Sequence, residues 1–374
     1  MDMLLKPLHR LLSFPFRPPV FTHQKIERIL LVRLDHLGDL LMATPAIAAL
    51  RKKFPQARID LLAGKRAERL FLGNSDIDQI HVFEAPWYDP RRGGEVWPVD
   101  VVRTIIQLRK REYDAAVDMR GDFRVIFLFL WLAGARKRIG FRDLGLGFLL
   151  TDPVEYDHER SFLDLNFDSL VPLGIETSDR KLKFFLETDD RAFVASELSA
   201  NGVKRDSLLV GIGPTTNRVE QRWDEKRFAE VADRLIDDFG AQIVLVAAGD
   251  DAGIVGLMKG QMKHECLDLS GKTTIGQLGA LMERMHLYIA NDSGTMHLAI
   301  ALGTPTVGIF GPSSIRRSWP YGQASKRYRA ITAAVDCPRP CFRRDCEERE
   351  CYDLISAEEV YRATAEILKG RAQG

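Results

Sequence analysis

The chain has 374 residues, 45% apolar and 28% charged, and its 53 basic side chains nearly balance 52 acidic ones for a net charge of +1. That balance excludes a general DNA or RNA binder, which needs a basic excess on one face. The composition is that of an ordinary globular protein, and the length suffices for two domains with separate cores.

In chain order, residues 1–25 read as an N-terminal arm. It lacks the apolar core and cleavage site of a secretory signal. It mixes Leu4, Leu5, Leu8, Leu11, Leu12, Phe14 and Phe16 with Lys6, His9, Arg10 and Arg17. Such a segment suits either a peripheral contact with a membrane surface or packing on the protein itself. The longest apolar run, residues 125–135, is about half the length that crosses a bilayer, so it reads as a core helix.

From Arg28 onward strands alternate with helices. The first strand is expected over residues 28–34, then a polar turn Asp35-His36-Leu37-Gly38-Asp39, then a helix over residues 40–53 with Pro45 in its first turns. Further strands are expected at residues 58–63, 79–83, 113–118 and 137–141. Residues 151–190 are irregular, with Pro153 and Pro172, and mark the passage to a second domain. Alternation then restarts, with strands at 207–212, 242–247, 266–269, 287–290 and 306–310 and helices between them. A last helix covers residues 357–368. The pattern predicts an α/β chain of two doubly wound, Rossmann-like parallel-sheet domains, over residues 26–185 and 186–355, followed by a C-terminal helix and tail over 356–374. Ligands of such folds sit at the carboxyl ends of the strands, and two such domains would place a cleft between them.

The most informative stretch is 288–314, where a buried strand meets the turn Asn291-Asp292-Ser293-Gly294 and a short helix containing His297. Asp292 or Ser293 is the N-cap candidate. A helix N-terminus after a parallel strand offers backbone N–H groups and the positive end of the helix dipole to a phosphate. Two other glycine runs are weaker signals. Gly271-Lys272-Thr273 lacks the first glycine of a phosphate loop, and Gly211-Ile212-Gly213 lacks the third glycine of a dinucleotide fingerprint. No Asp-x-Asp pair follows a strand to hold a divalent cation on a diphosphate.

Three stretches together resemble one family. Residues 28–62, with Leu-Gly-Asp-Leu-Leu-Met-Ala-Thr-Pro-Ala, are similar to the amino-terminal signature of the ADP-heptose–lipopolysaccharide heptosyltransferases, glycosyltransferase family 9. Asp268-Leu269-Ser270-Gly271-Lys272-Thr273 and Asn291-Asp292-Ser293-Gly294-Thr295-Met296-His297, continuing to Phe310-Gly311-Pro312, resemble the carboxy-terminal signature. Residues 215–228 resemble the segment joining the domains, so the resemblance covers about residues 26–368. It implies a GT-B fold, with an acceptor domain first and a nucleotide-sugar domain second. The implied activity is transfer, with inversion, of a heptose or related sugar from an ADP-activated donor to a lipopolysaccharide core or other lipid-linked acceptor. No catalytic cofactor is implied, and the expected location is cytoplasmic, at the inner face of the inner membrane.

A sugar hydroxyl is a poor nucleophile and needs a carboxylate to take its proton. Asp39 matches the family's base, although capping of the helix that follows would also explain it. Donor contacts map by the same resemblance to Thr215, Thr216, Gln221, Arg222, Asp251, Asp292, Ser293, Gly294 and His297. One departure stands out: Gln221-Arg222-Trp223 replaces a run whose first position is usually lysine, so Arg218 or Arg222 would have to supply the charge facing the diphosphate. Arg120, Arg124 and Arg142 are candidates for holding an anionic acceptor through guanidinium forks.

Four of the five cysteines fall together at Cys337, Cys341, Cys346 and Cys351. Four thiols in one short run suit a structural zinc or iron, or reduced thiols packing a proline-rich loop. Three other functional readings share the sequence features: a family member with a different nucleotide-sugar donor or a protein acceptor, a nucleotide-sugar epimerase on the same fold, and a non-catalytic nucleotide-sugar binding protein.

Overall fold

The computed structural model describes residues 25–88, 98–176, 179–319, 327–341, 343 and 346–372. The N-terminal arm, apart from Lys25, therefore lies outside the described residues. The chain divides into two compact units, the first ending at Lys181 and the second beginning at Leu182.

The first unit is built on a six-stranded parallel sheet: β1 (Arg28–Val32), β2 (Arg58–Ala63), β3 (Gln79–Val82), β4 (Ala115–Asp118), β5 (Lys137–Phe141) and β6 (Asp152–Val154), in the order β3-β2-β1-β4-β5-β6. The second holds β7 (Leu209–Gly213), β8 (Gln242–Leu245), β9 (Leu267–Asp268), β10 (Leu287–Asn291), β11 (Thr306–Phe310) and β12 (Tyr328–Thr332), in the order β12-β11-β10-β7-β8-β9. Read from its own first strand, the second sheet repeats the order of the first. Both are Rossmann-like and doubly wound.

The central strands read as continuous apolar runs because both their faces are covered. Ile29, Leu30 and Leu31 of β1 are fully buried, as are Leu287, Ile289 and Ala290 of β10. Each large side chain so buried contributes about 1.5–3 kcal/mol. Polar groups cannot interrupt these runs without partners, so chemistry is confined to the strand ends. In this order the connections diverge between β1 and β4, and between β7 and β10. The crevice outside the carboxyl ends of those strand pairs is where a ligand fits.

Several local features differ from expectation. The first helix spans Leu37–Lys53, so Pro45 sits near its middle, not in its first turns. The apolar run after Arg120 is not one regular helix: a short turn, Phe123–Val125, passes into a π-helix, Ile126–Trp131, which turns Ile126, Phe129 and Leu130 into the core. Two strands, β6 and β12, had no clear signal, because β6 is only three residues with Pro153 at its centre and β12 is interrupted by Arg329, although the edge strands β3 and β9 were expected. The last helix continues to Ala372.

Candidate active site

In the first unit the residues just beyond β1 and β4 form a buried charged cluster. Arg33 is 2% exposed. Its Nε lies 2.8 Å from Asp35 Oδ1 and its Nη2 lies 3.3 Å from Asp39 Oδ1. Nη1 donates to the Met119 carbonyl and, at 3.1 Å, to Asn166 Oδ1. Asn166 belongs to the helix Phe162–Asp168, which packs against the first helix. Arg120 donates from Nη1 to the other oxygen of Asp35. Its guanidinium also lies 4.3 Å from the centre of the Tyr88 ring.

Asp39 is the third residue of its helix, and the N-cap is His36. Asp39 Oδ2 accepts the His36 N–H at 3.3 Å, so the carboxylate does brace the helix start. Bracing leaves the group accessible: its side chain is 18% exposed, whereas that of Asp35 is fully buried. Burial, and then the negative charge of Asp35, push the Asp39 carboxyl above its usual range, against the pull of Arg33 and Arg120. At Asp35 burial acts in the same direction, but Arg33 and Arg120 override it and hold the carboxyl below its usual range. A carboxylate whose proton affinity is raised toward the working pH is the better general base.

Beyond β4 the chain turns sharply. Asp118 accepts the backbone N–H groups of Arg120, Gly121 and Asp122 at 3.0, 3.1 and 2.7 Å. Burial still pushes its carboxyl up to about 6. Gly121 has φ +88°, and a Cβ there would lie 2.2 Å from Leu144 Cδ1, so the turn requires glycine. It presents Arg124, whose Nε and Nη2 each donate to Asp122 at 2.8 Å, and whose guanidinium lies 4.9 Å from the Trp87 ring centre. Arg120 and Arg124 thus share one turn. Arg142 sits apart, after β5, exposed and 3.5 Å from Glu155.

The corresponding place in the second unit is built differently. Asn291, at the end of β10, is fully buried. Its Nδ2 donates to the Pro214 carbonyl at 2.8 Å, and its Oδ1 accepts the Trp223 N–H at 2.9 Å. One side chain therefore fixes the ends of β7 and β10 and the segment bearing Gln221 and Arg222. Thr215 and Thr216 follow β7 directly, and Thr216 Oγ1 donates to the Asp292 carbonyl at 3.3 Å. The helix Gly294–Ala301 has Ser293 as N-cap without a side-chain cap hydrogen bond. The Ser293 hydroxyl is 3.0 Å from that of Thr295, which in turn accepts from Tyr288 at 2.9 Å. Ser293 thus does not cap the first-turn amides, and amides at such a helix start suit an anion. His297 is 4% exposed, and burial lowers its pKa to about 4, so the ring is neutral.

Arg222 is buried: Nε and Nη2 donate to the Thr216 carbonyl at 3.2 and 3.0 Å, and Nη2 also reaches Asp251 Oδ1 at 2.8 Å. It organises the segment from within. Asp251 ends the short turn Gly249–Asp251 and makes no side-chain cap bond to the following helix. Gln221 Nε2 donates to the Ser313 hydroxyl at 3.0 Å, joining this segment to the loop after β11. The run Gly211-Ile212-Gly213 also finds its explanation here. A Cβ at Gly211 would lie 2.3 Å from the Met285 sulfur, and one at Gly213 would lie 2.1 Å from the Tyr288 hydroxyl, so both glycines make room for side chains.

The thiols of Cys337, Cys341, Cys346 and Cys351 are all free and line a single cavity of about 210 Å³. Among the described residues no three or more Cys, His, Asp or Glu side chains are grouped to hold a metal ion. A tetrahedral thiolate site needs its sulfurs about 2.3 Å from one point, so the zinc or iron expectation lacks support in this arrangement. What the loop does is brace its neighbours. The Cys341 N–H donates to the Pro312 carbonyl at 2.9 Å, Tyr352 Oη to the Gln221 carbonyl at 2.6 Å, and Arg349 to the Arg222 carbonyl.

Residues of this cluster that sequence reasoning missed are Arg33, Asp35, Asn166 and, in the second unit, Asn291. The available signal was charge directly after an apolar strand, in Val32-Arg33-Leu34-Asp35.

Two α/β units of Rossmann-like strand order, one with a buried carboxylate–guanidinium cluster and one with an open helix N-terminus, define a protein of the GT-B class. The profile of glycosyltransferase family 9 (heptosyltransferase) matches residues 101–351. Lipopolysaccharide heptosyltransferase 3 of Escherichia coli strain K12 is 30% identical over 345 residues, 88% of this chain and 95% of that protein. The chain belongs to glycosyltransferase family 9. Among solved structures, a glycosyl transferase family 9 protein from Veillonella parvula superposes with TM-score 0.76 at 23% identity, covering 92% of this chain and 97% of the other. The E. coli ADP-heptose lps heptosyltransferase II superposes with TM-score 0.70 at 22% identity, covering 92% and 99%. No helix among the described residues is long and apolar enough to cross a membrane.

Proposed function

We propose that this protein transfers a heptose, or a closely related sugar, from an ADP-activated donor to a lipopolysaccharide core acceptor, with inversion at the anomeric carbon. The observation that carries the reading is Asp39: a partly exposed carboxylate of raised proton affinity at the carboxyl ends of β1 and β4, in a family named for this transfer. Asp39 takes the proton of the acceptor hydroxyl as the new bond forms. The leaving ADP carries growing negative charge on its diphosphate. The amides after Ser293 and the Thr215–Thr216 segment meet that charge without a metal in the chemical step. Asp292, a carboxylate beside these donors, is suited to sugar hydroxyls, and Asp251 to the ribose. Gln221 offers an amide where relatives offer a charge. Arg120 and Arg124 hold anionic groups of the acceptor, with Arg142 further out. The work belongs at the cytoplasmic face of the inner membrane, in peripheral contact with a lipid-linked acceptor.

A thermal-shift panel of ADP-, GDP-, UDP- and dTDP-sugars tests the donor, because a ligand that binds only the native state raises its melting temperature. ADP-heptose is expected to give the largest shift and to label a heptose-deficient core saccharide. A larger shift with another nucleotide, or no labelled product, would overturn the assignment.

A further inference from the structure

Two carboxylates compete for one buried guanidinium at the end of β1. We infer that Asp35 is a positioning residue for the Asp39 base: it takes the nearer contact of Arg33 and the hydrogen bond of Arg120, and so leaves Asp39 as the carboxylate that accepts the proton. The inference rests on the Asp39 reading above and adds a second residue to it.

The geometry is unequal in the required sense. Asp35 is fully buried, 2.8 Å from Arg33 Nε, with its second oxygen bonded to Arg120. Asp39 has only the far Nη2 of Arg33 at 3.3 Å and a backbone N–H at the same distance. Arg33 cannot swing toward Asp39, because Met119 and Asn166 hold its Nη1 from β4 and from the helix Phe162–Asp168. The charged and titratable groups acting on Asp39 are Asp35, Arg33, Arg120 and His36. Two cations face two anions, and the shares are uneven. Like charges this close cannot be equally ionised, and the better-paired one keeps its charge. The opposite displacements of the two carboxyls agree with this division.

The test is a ¹³C carboxyl titration of the whole chain, which needs no substrate, with single-turnover rates at saturating donor and acceptor beside it. In Asp35→Asn the neighbouring negative charge is gone. The Asp39 midpoint and the ascending limb of the rate profile should both move to lower pH by about one unit, with the limiting rate several-fold lower as the base weakens. Arg120→Gln removes a cation that acts on both carboxyls and should move both the other way; if Asp35→Asn does not fold, the unsubstituted chain decides, since Asp35 must then ionise below Asp39 in the same titration and the reverse order overturns the inference. A merely structural role for Asp35 predicts no movement in Asp35→Asn, and that result overturns the inference. Full turnover in Asp39→Asn would instead overturn the base assignment, so the two failures are distinguishable.

Discussion

The two units answer the same topological opportunity with opposite chemistry. Each opens a crevice between its first and fourth strands. In the first unit that crevice is filled by ionised groups: Arg33, Asp35, Asp39 and Arg120 crowd the ends of β1 and β4. In the second it is lined by amides and hydroxyls, with Asn291 as clamp and His297 held neutral. A charge pair nearby, Arg222 with Asp251, is turned inward on the Thr216 carbonyl. A base needs neighbours that tune its proton affinity, and charges do that over several ångströms. A diphosphate site needs oriented donors that do not collapse on one another when the ligand leaves, and backbone amides do that. Fold alone therefore does not say which unit does what.

The sharpest way to break this contrast is at Asp39. Asp39→Asn should lower turnover by about 10²–10⁴-fold while the melting shift given by the nucleotide sugar stays the same, because only the proton acceptor is lost. An equal loss of donor binding would mean that the first unit's charges serve binding, not proton transfer.

The neutrality of His297 has a consequence for stability. Its folded pKa of about 4 lies below the ordinary 6.5, so the unfolded chain takes up a proton first as pH falls. Stability is thus complete above pH 6.5 and is lost progressively down to about pH 4. At about 1.4 kcal/mol per pH unit this reaches at most about 3 kcal/mol. In His297→Gln the decline in denaturant midpoint between pH 6.5 and 4 should be shallower by that amount. An unchanged slope would show that the ring is charged in the native protein.

The packing that shapes the second crevice is tested by Gly213→Ala. The added methyl meets the Tyr288 hydroxyl, and overpacking of this kind costs about 1–3 kcal/mol, read as a fall in urea midpoint. Tyr288→Phe in the same chain should recover part of it. The smallest effect is expected from Gln221→Lys, which adds a cation beside the Ser313 loop. Donor KM should fall a few-fold, with an effect of about 1 kcal/mol or less, at the expense of the bond to Ser313. A rise in KM would show that the hydrogen bond to Ser313 matters more than the missing charge.

Much of this was legible in the chain itself. The alternation of apolar runs and amphipathic segments gave ten strands, β1 to β5 and β7 to β11, to within a few residues, because a buried parallel strand admits a polar residue such as Asp60 only with partners. The motif around Asn291 to His297 was legible for a related reason: polar residues between a buried strand and a helix must serve a turn, a cap or a ligand. Strands β6 and β12 were not: β6 is three residues with Pro153 at its centre, and β12 carries Arg329 within a basic stretch, so neither shows an apolar run. The π-helix over Ile126–Trp131 was not either, because periodicity within an unbroken apolar run cannot distinguish one helical pitch from another. The cysteine run suggested a metal, yet spacing cannot say whether four sulfurs converge, and here they line a cavity without forming a ligand set.

What the sequence determined by itself was the class of fold and the places where polar chemistry is allowed, since hydrophobic patterning dictates which segments are buried and so where they must end. What only the tertiary structure decided was the sharing of charge. Arg33 lies between Asp35 and Asp39, with Arg120 brought in from the turn after β4 and Asn166 from a later helix. Proton affinity depends on distances of a few ångströms between groups that sequence order separates widely, and those distances exist only once the sheet has closed on them.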